Sequence, residues 1–516
     1  MIRALTAAVT AAAAVCGSVA VVPASAAGAS IRVNYLGHSG VKGEAEASVI
    51  DLSTGKTYAA HGGQDTPVPA GRYAVGAYIA EDPWMTVAAR VVQVSGPTTV
   101  VFDTGKANKV TFDAPGATTS ALAVVPFVTV GHKQRTFISD MGAKWPADQT
   151  YVLGDPAAKG IGLGVHGVLT RSGAEPSPVR YDLVKSFQGM PNEVTVKADP
   201  KSLARVELDV ATMDQAQTTL LNLTAENPDH SPVVGEPVGI AVLGHQTDYR
   251  TPGLQWATNL SMNSLDATEF LTENAKDHNL LYAAGKTYHE SWGYGVWSPR
   301  PASPAIYAQD NTLRVGGGPP ICAWAGTGVK LDDCQVQTQQ FSYKLYKDGK
   351  LLGEGQSVTA PVDTVKPHWY SAELTAGRSG KVSLSTTVSA RWYFQAGGTT
   401  RTETAKLIVI KHNQVQPGMF RITPAGLDDR NQVDHTAPTS IALSVAEFGD
   451  VASMSLESSD DGGKTWHSVP VTGTGANRTA KLPAAGKPGM VSLRVGAKSA
   501  NGASVQETVI NAYGVR

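Results

Sequence analysis

Short runs of alternating apolar and polar residues recur along this chain, and each is bounded by residues that favour turns. Glu46–Leu52 precedes the segment STGK, Arg72–Ala80 follows PVPAG, and Lys381–Phe394 is a longer run of the same kind. Successive side chains of a β-strand point to opposite faces of its sheet, so this period of two predicts strands with one buried face. The spacing of the turn signals favours sandwiches. We therefore predict an all-β fold of tandem β-sandwich domains.

The length of the chain predicts several domains in series. At 516 residues it is too long for one compact core, and about 100 to 200 residues per domain gives three or four units. Changes in strand rhythm place these units at 30–113, 114–280, 281–412 and 416–516. The second unit is the least regular, and the third contains a cysteine loop.

Three local structures stand out within this β pattern. The pair Asp348-Gly349 predicts a type I′ hairpin, because both central residues of that turn need a positive φ. Met213–Leu223 and Ser264–Ala275 carry helical patterning and predict two short connecting helices.

The N-terminus predicts export. Residues 1–26 read as a signal peptide, with Arg3 at the positive end, an apolar run from Leu5 and the small residues Ala24–Ala26 at the cleavage site. No later stretch approaches the roughly 20 apolar residues of a membrane span. We expect a secreted, extracellular protein.

The two cysteines that follow the predicted signal peptide, together with the charge balance, restrict the chemistry that this chain can perform. Cys322 and Cys334 form an even pair in a chain expected to be exported, which predicts a structural disulfide. Lys and Arg total 43 against 44 Asp and Glu, a formal net charge of -1. With no long block of either sign, this balance argues against a nucleic-acid partner. We identify no cofactor requirement.

One stretch near the C-terminus resembles part of an enzyme. Ser459–Trp466 fits the Asp-box turn of sialidase propellers, and Phe420–Thr423 differs by one residue from a sialidase arginine motif. A propeller needs at least four blades of four strands, and the 97 residues from Phe420 to Arg516 cannot supply them. We interpret Asp461 as the former of a hairpin turn and Trp466 as its core anchor.

Other partial motifs lack the partners that catalysis needs. Asp103, in an Asp-Thr-Gly sequence, has no second such motif to complete an aspartic protease site. The segment Gly37–Gly43 departs from the Gly-x-Ser-x-Gly of esterases at Val41. We interpret these segments as a turn and a loop, and predict no catalytic residue.

Histidines and paired carboxylates are weak candidates for the same reason. His166 and His289 are where a hydrolase with an unrecognised site would be centred. The segment GVHGV around His166 lacks the second histidine of a subtilisin-type element, and His289 has no second histidine four residues on. The pairs Asp332-Asp333, Asp428-Asp429 and Asp460-Asp461 lack an EF-hand spacing and favour solvated turns over calcium sites. We predict no metal site.

Aromatic residues give the one located hint of binding. Tyr288–Pro301 contains Trp292 and Trp297, and Trp324 lies in the cysteine loop. If exposed, these rings would bind sugars or proteins; the alternative, which we favour, is that they fill a sandwich core.

Several segments together carry a resemblance to a known family. They are IDLSTGKTY with VPAGRYAV, TTVVFDTGKANKVTFDAPG, TDYRTPGLQW, YAAGKTYHESWGYGVWSP, YKLYKDGKLLGEG, VSLSTTVSARWYF and SSDDGGKTWHSVPV. In the same order, they resemble segments of the long C-terminal region of large secreted subtilisin-family serine peptidases of actinobacteria. The resemblance covers nearly the whole chain from Ile31, and the cysteine loop at 316–336 departs from it.

This resemblance implies non-catalytic accessory domains. The first would be similar to a transthyretin or carboxypeptidase-regulatory sandwich, and the last to an immunoglobulin or fibronectin type III module. The catalytic domain of that family precedes this region, whereas here the predicted signal peptide leads directly into it, so no catalytic residue is carried over.

We therefore expect a secreted, non-catalytic binding protein whose partner is an extracellular protein or a cell-wall polymer. One alternative is an accessory partner or regulator of a separately encoded serine peptidase. Another is a hydrolase with an unrecognised site.

Overall fold

The chain is all-β. The computed structural model describes residues 28–516 apart from 132, 138–146, 172–176, 212–215, 229–232, 234–237, 242–243, 265–269, 300–305, 310–311, 317–320, 323–332, 337–339, 364, 379–381, 405–406, 413–417 and 447. The described residues contain 43 strands and two single-turn 3-10 segments, Thr104–Lys106 and Ala147–Gln149, but no α-helix. No helix that might cross a membrane occurs among them. The predicted signal peptide lies outside the described residues.

Twenty-two strands precede residue 293. They are β1 (Ser30–Leu36), β2 (Lys42–Glu44), β3 (Ala47–Asp51), β4 (Thr57–Ala60), β5 (Thr66–Pro67), β6 (Gly71–Glu81), β7 (Trp84–Val94), β8 (Pro97–Asp103), β9 (Asn108–Asp113), β10 (Thr118–Val130), β11 (Lys133–Thr136), β12 (Thr150–Gly154), β13 (Ile161–Thr170), β14 (Val179–Gln188), β15 (Val194–Lys197), β16 (Ala204–Val210), β17 (Ala216–Glu226), β18 (Val238–Ala241), β19 (His245–Arg250), β20 (Gln255–Ser264), β21 (Phe270–Leu281) and β22 (Thr287–Trp292).

The other strands follow in the C-terminal part. They are β23 (Ser298–Pro299), β24 (Ile306–Gln309), β25 (Thr312–Gly316), β26 (Ile321–Cys322), β27 (Asp333–Val336), β28 (Gln340–Lys347), β29 (Lys350–Gly355), β30 (Ser357–Pro361), β31 (Pro367–Gly377), β32 (Thr387–Gly397), β33 (Thr399–Thr404), β34 (Leu407–His412), β35 (Met419–Pro424), β36 (Gln432–Val433), β37 (Thr439–Ala446), β38 (Val451–Ser459), β39 (His467–Val469), β40 (Val471–Thr474), β41 (Asn477–Leu482), β42 (Gly489–Ser499) and β43 (Ser504–Val515).

Four sheets are stacked in the N-terminal part. The first has the order β2-β1-β5 with β8 beside β1, the second β15-β9-β12-β7-β6-β3-β4, the third β11-β10-β13-β14-β19-β16-β22, and the fourth β18-β17-β20-β21-β27. Separate apolar cores fill the space between the first and second sheets, the second and third, and the third and fourth. The two middle sheets are therefore covered on both faces.

Strand β13, in the third sheet, is covered on both of its faces. All ten of its residues are buried, because one face packs on the second sheet and the other on the fourth. Its glycines allow large rings to approach: a Cβ at Gly162 would lie 2.3 Å from Phe127 Cζ, and one at Gly167 would lie 2.5 Å from Phe112 Cδ1.

The C-terminal part is built around a nine-stranded sheet. Its order is β29-β28-β31-β32-β43-β42-β38-β39, with β36 beside β43. One apolar core joins its inner face to two smaller sheets, β24-β25-β30 and β35-β37-β41-β40. Because β32 pairs with β43, the sheet runs across the boundary expected between 281–412 and 416–516.

The sheets also cross the boundary expected near residue 113. Strand β12 pairs in parallel with β7, in the register Met85↔Thr150. The first two units expected from the sequence are thus joined by continuous hydrogen bonding, which a reading of local strand rhythm does not detect.

The two helix predictions are wrong. Leu221, Leu223 and Ala225 are all buried, which is the period of a strand, and they lie in β17. The second predicted helix overlaps β21, which pairs with β20 and β27. Pairing with neighbouring strands outweighs a weak local helix propensity. Residues 213–215 and 265–269 of these predictions lie outside the described residues.

The predicted hairpin is confirmed. Asp348 and Gly349 have φ of 48° and 78°, and Lys347 pairs with Lys350 across the turn.

Candidate functional site

His166 lies deep inside the stack of sheets. It is on β13, in the third sheet, and its side chain faces the fourth sheet, with no exposed surface. Its Nε2 is 3.0 Å from Asp182 Oδ1, and the ring of Trp256 meets it edge-on at 5.7 Å between centroids. The sequence around His166 does not indicate that this side chain is buried.

Asp182 connects His166 to a group of buried charges, which we call the buried ionic cluster: His166, Arg180, Asp182, Asp248, Arg250 and Glu290. Each of the six is at most 3% exposed. Arg180 Nε lies 2.6 Å from Asp182 Oδ2. Arg250 is 3.2 Å from an oxygen of Asp248 and 3.2 Å from one of Glu290.

Strand register brings these charges together. Parallel pairing of β14 with β19 places Asp182 beside Arg250 and Arg180 beside Asp248. Opposite charges therefore alternate both along each strand and across the pair. Neutral groups complete the arrangement: Gln246 donates to Asp248 at 2.6 Å, and Tyr282 donates to Glu290.

The cluster perturbs the acidity of its members. Burial disfavours the charge of Asp182, but the Arg180 charge and the His166 hydrogen bond outweigh it and lower the pKa to about 2. Burial raises the pKa of Asp248, and the neighbouring arginines offset only part of that effect. Burial also disfavours charge on Arg250, but Glu290, Tyr282 and Asp248 raise its pKa. The pKa of Asp182 is thus lowered and that of Asp248 is raised, although both carboxylates belong to the same cluster.

This geometry holds charges in place without offering them to a substrate. A hydrolytic site needs a nucleophile or water channel that reaches the reacting atoms, and these side chains are enclosed between two sheets. His289 does not join them. It is exposed on edge strand β22, and strand alternation places it on the face opposite its buried neighbour Glu290.

The loop that approaches an esterase motif contains a different histidine interaction. His38 Nδ1 lies 3.2 Å from Glu81 Oε2, and the His38 ring stacks on Trp84 with centroids 4.6 Å apart. Thr104 donates to the same Glu81 oxygen at 2.6 Å. Ser39 stands exposed in the turn. These contacts tie the loop to β6 and to the turn after Asp103.

Aspartates in the turns bind backbone groups of those turns. Asp428 Oδ1 accepts from the amides of Arg430 and Gln432 at 3.0 and 2.9 Å, and its Oδ2 is 2.9 Å from Arg516 Nε. Across the residues that the structure describes, no group of three or more His, Cys, Asp or Glu is arranged to hold a metal ion. Asp332 lies outside them.

Two of the three tryptophans considered for binding are buried, as in the alternative favoured from the sequence. Trp292 and Trp297 are 1% and 3% exposed. Trp292 belongs to the core between the third and fourth sheets, and Arg378 lies 4.2 Å above the ring of Trp297. Trp324 lies outside the described residues.

The cysteine pair remains a prediction. Cys322 ends β26 and Cys334 lies in β27, two short strands that lie next to each other. Their side chains are outside the described part of the structure.

Asp461 organises the turn that resembles an Asp box. Its Oδ1 accepts from the amides of Lys464 and Thr465, both at 2.9 Å, and its Oδ2 accepts from the Thr465 hydroxyl at 2.6 Å. The turn joins β38 to β39 as a hairpin. Hydrogen bonds from the Thr465 hydroxyl and amide hold the pKa of Asp461 well below its usual range.

Trp466 differs from its expected role as core anchor. It is half-buried and lies on the outer face of the sheet, beneath the Arg494 guanidinium at 4.1 Å. Its Nε1 donates to the Gly463 carbonyl at 2.9 Å, so the ring closes the turn.

A cleft of about 590 Å³ opens beside this turn. Aliphatic side chains including Val433, Leu482 and Val491 line it, with Lys481 and Asp434 among its polar residues. Its lining carries both signs of charge and includes His467, Ser459 and Ser468.

The exposed aromatic surface lies elsewhere, on the outer face of the nine-stranded sheet. Strand register aligns four side chains in one line across β29, β28, β31 and β32. We call this line the aromatic row: Leu351, Tyr346, Ser371 and Tyr393. Tyr393 is 42% exposed and Leu351 is 47% exposed.

Trp369 supports the row from one side. Its ring stacks on that of Tyr393 with centroids 4.5 Å apart and an angle of 6° between the planes. A Cβ on Gly502 would come within 3.4 Å of the Trp369 ring, so the turn after β42 backs the indole. This stacking fixes the orientation of Tyr393.

A second line of side chains runs beside the aromatic row, two residues away along β28, β31 and β32 and three along β29, where the register shifts. We call it the charged row: Glu354, Lys344, Glu373, Arg391 and Gln506. Lys344 is 3.6 Å from Glu354, and Arg391 is 3.2 Å from Glu373. Tyr346 donates to Glu373 at 3.3 Å and so links the two rows. The four charges cancel.

Sequence reasoning missed this surface, although the signal was present. In Lys381–Phe394 the alternation assigns Trp392 and Phe394 to one face and Arg391 and Tyr393 to the other. Only strand order brings residues from 344 to 506 into the same two rows.

No family model matches the chain, and a search of curated proteins likewise found no match.

Proposed function

We propose that this chain is a secreted, non-catalytic β-sandwich protein that binds a cell-wall polymer through the outer face of its nine-stranded sheet. The observation that carries the proposal is the aromatic row with its flanking charged row. Aromatic rings with a polar tip are enriched at binding interfaces, and contiguous exposed apolar surface marks such sites; here Tyr393 is 42% exposed and stacks on Trp369.

The non-catalytic part of the proposal rests on the two histidines that were candidates for hydrolysis. His166 is enclosed and engaged by Asp182, and His289 is exposed on the other face of the same sheet. They do not meet in one site. Export is proposed from the N-terminal sequence and from the predicted cysteine pair.

A polymer suits this surface better than a charged partner does. The charged row contains two basic and two acidic side chains in mutual contact, so it presents hydrogen-bonding groups with no net charge. A neutral chain rich in hydroxyl groups is complementary to that surface.

Sedimentation with insoluble cell-wall polysaccharide tests the proposal. We expect the purified protein to sediment with the polymer and Tyr393→Ala to remain largely in solution. Tyr58→Ala is the matched control, because Tyr58 is a partly buried tyrosine in the first unit, and it should sediment like the wild type. Binding only to wall-associated protein, abolished by protease treatment of the wall, would overturn the proposal.

A further inference from the structure

We propose that the ligand is an extended β-linked polysaccharide, lying across the strands with one sugar on Tyr346 and the next but one on Tyr393. This rests on the proposed function and adds the class and direction of the ligand. It is drawn from the spacing and composition of the two rows.

The first observation is the spacing of the tyrosines. Tyr346 on β28 pairs with Ser371 on β31, which pairs with Tyr393 on β32. Their backbone positions are therefore two strand spacings apart, about 10 Å. In an extended β-linked chain each sugar is turned over relative to the last, so the same face recurs at every second ring. That repeat is close in length to this two-strand spacing.

The second observation is the residue between them. Ser371 is partly buried and small, so the surface dips between the two rings. A sugar that bridges the tyrosines can sit over this position without a clash. Its hydroxyls would be within reach of polar groups rather than a third aromatic ring.

The third observation is the line of hydrogen-bonding groups beside the rings. The charged row lies two residues away along β28, β31 and β32, roughly 7 Å, and runs beside the aromatic row. Lys344, Glu373 and Arg391 supply both donors and acceptors. Hydroxyl groups at the edge of the sugar rings both donate and accept, so this mixture suits a neutral sugar chain.

The fourth observation is preorganisation. The Trp369 ring holds Tyr393 by a parallel stack, and the Glu373 carboxylate holds the Tyr346 hydroxyl. Both rings are thus fixed before a ligand arrives, which reduces the entropy lost on binding.

A length series of soluble oligosaccharides tests this inference. We would titrate the protein with β-1,4-linked N-acetylglucosamine oligomers of two to six sugars and follow binding by calorimetry. Three sugars are the shortest chain that reaches both tyrosines. One further aromatic contact should strengthen binding roughly three- to tenfold between two and three sugars. An α-1,4-linked glucose series, which coils, should bind at no length.

Two variants separate the tyrosines. Tyr346→Ala should remove the step in affinity between two and three sugars while leaving the binding of the disaccharide. Tyr393→Ala should weaken every length. Thermal unfolding of each variant, compared with that of Tyr58→Ala, checks that the sheet remains folded.

The outcomes distinguish this inference from the proposed function. Equal affinity for two and six sugars, with sedimentation still dependent on Tyr393, would overturn the arrangement across the strands and leave polymer binding intact. Equal binding of α- and β-linked chains would overturn the linkage preference. If the wild-type protein did not sediment with the cell-wall polysaccharide, the proposed function would be overturned as well.

Discussion

His166 Nε2 lies 3.0 Å from Asp182 Oδ1, and neither side chain has any exposed surface. Asp182 also contacts Arg180 at 2.6 Å. The carboxylate is therefore the shared partner of a cation and a histidine in the interior of a sandwich. Burial alone would disfavour its charge, and these partners are what keep it ionised.

Replacing Asp182 with asparagine should be strongly destabilising. Asp182→Asn removes the carboxylate charge that Arg180 contacts at 2.6 Å, and breaking a buried pair in this way costs about 3–5 kcal/mol. Denaturant unfolding measures the loss. Asp65→Asn is the control: Asp65 pairs with Arg32 at the surface, with side chains 52% and 44% exposed, and its loss should change the free energy of unfolding little. Similar losses for both variants would contradict this role of the buried ionic cluster.

A second buried acid predicts that stability depends on pH. Glu507 has no exposed surface; burial raises its pKa to about 8, although the Phe420 amide donates to it at 3.0 Å. Its folded pKa exceeds its ordinary value of 4.5, so the folded state retains the proton. The stabilisation is complete below the ordinary pKa and is lost as pH rises towards 8.

Glu507→Gln isolates this contribution, because the amide keeps an acceptor for Phe420 and cannot ionise. Between pH 5 and 8 the wild type should lose stability relative to the variant, by up to about 1.4 kcal/mol for each pH unit. Above pH 8 the difference should be constant. Unfolding curves at several pH values measure it, and parallel pH profiles of the two proteins would show that Glu507 is ionised in the fold.

The hairpin turn at Asp461 should loosen when its carboxylate is removed. Asp461→Ala deletes the acceptor of the Lys464 and Thr465 amides, so both should exchange hydrogen faster and the melting temperature should fall. Asp460→Ala removes the exposed neighbouring carboxylate and should leave both amides protected. Because the pKa of Asp461 is depressed, protection should persist into acid, below the usual titration range of an aspartate. Equal exchange in the two variants would contradict the assignment.

Much of the strand pattern was predictable from the sequence. The two helices predicted in error show the limit of reasoning from local sequence. Leu221, Leu223 and Ala225 repeat every second residue and are buried, yet the same stretch contains good helix formers. Propensity differences between residues are small compared with the burial of an apolar face. The sheet on either side of β17 decided its conformation.

The candidate sites divide in the same way. Asp461 and the pair Asp348-Gly349 act within a few residues, so sequence spacing was enough to predict their turns. Trp292 and Trp297 depend on what covers them, and the fold buries both. Tyr346 and Tyr393 are 47 residues apart and share a line only because β31 lies between their strands.

The sequence by itself determined the all-β class, the local turns and the absence of a complete motif for a known catalytic site, because each depends on period, turn chemistry or neighbouring residues. Tertiary structure decided which faces were covered, how the sheets ran across the expected boundaries, and which distant side chains met. The buried ionic cluster and the aromatic row both arise from strand order. Strand order is set by burial and pairing over the whole chain, and no local segment encodes it.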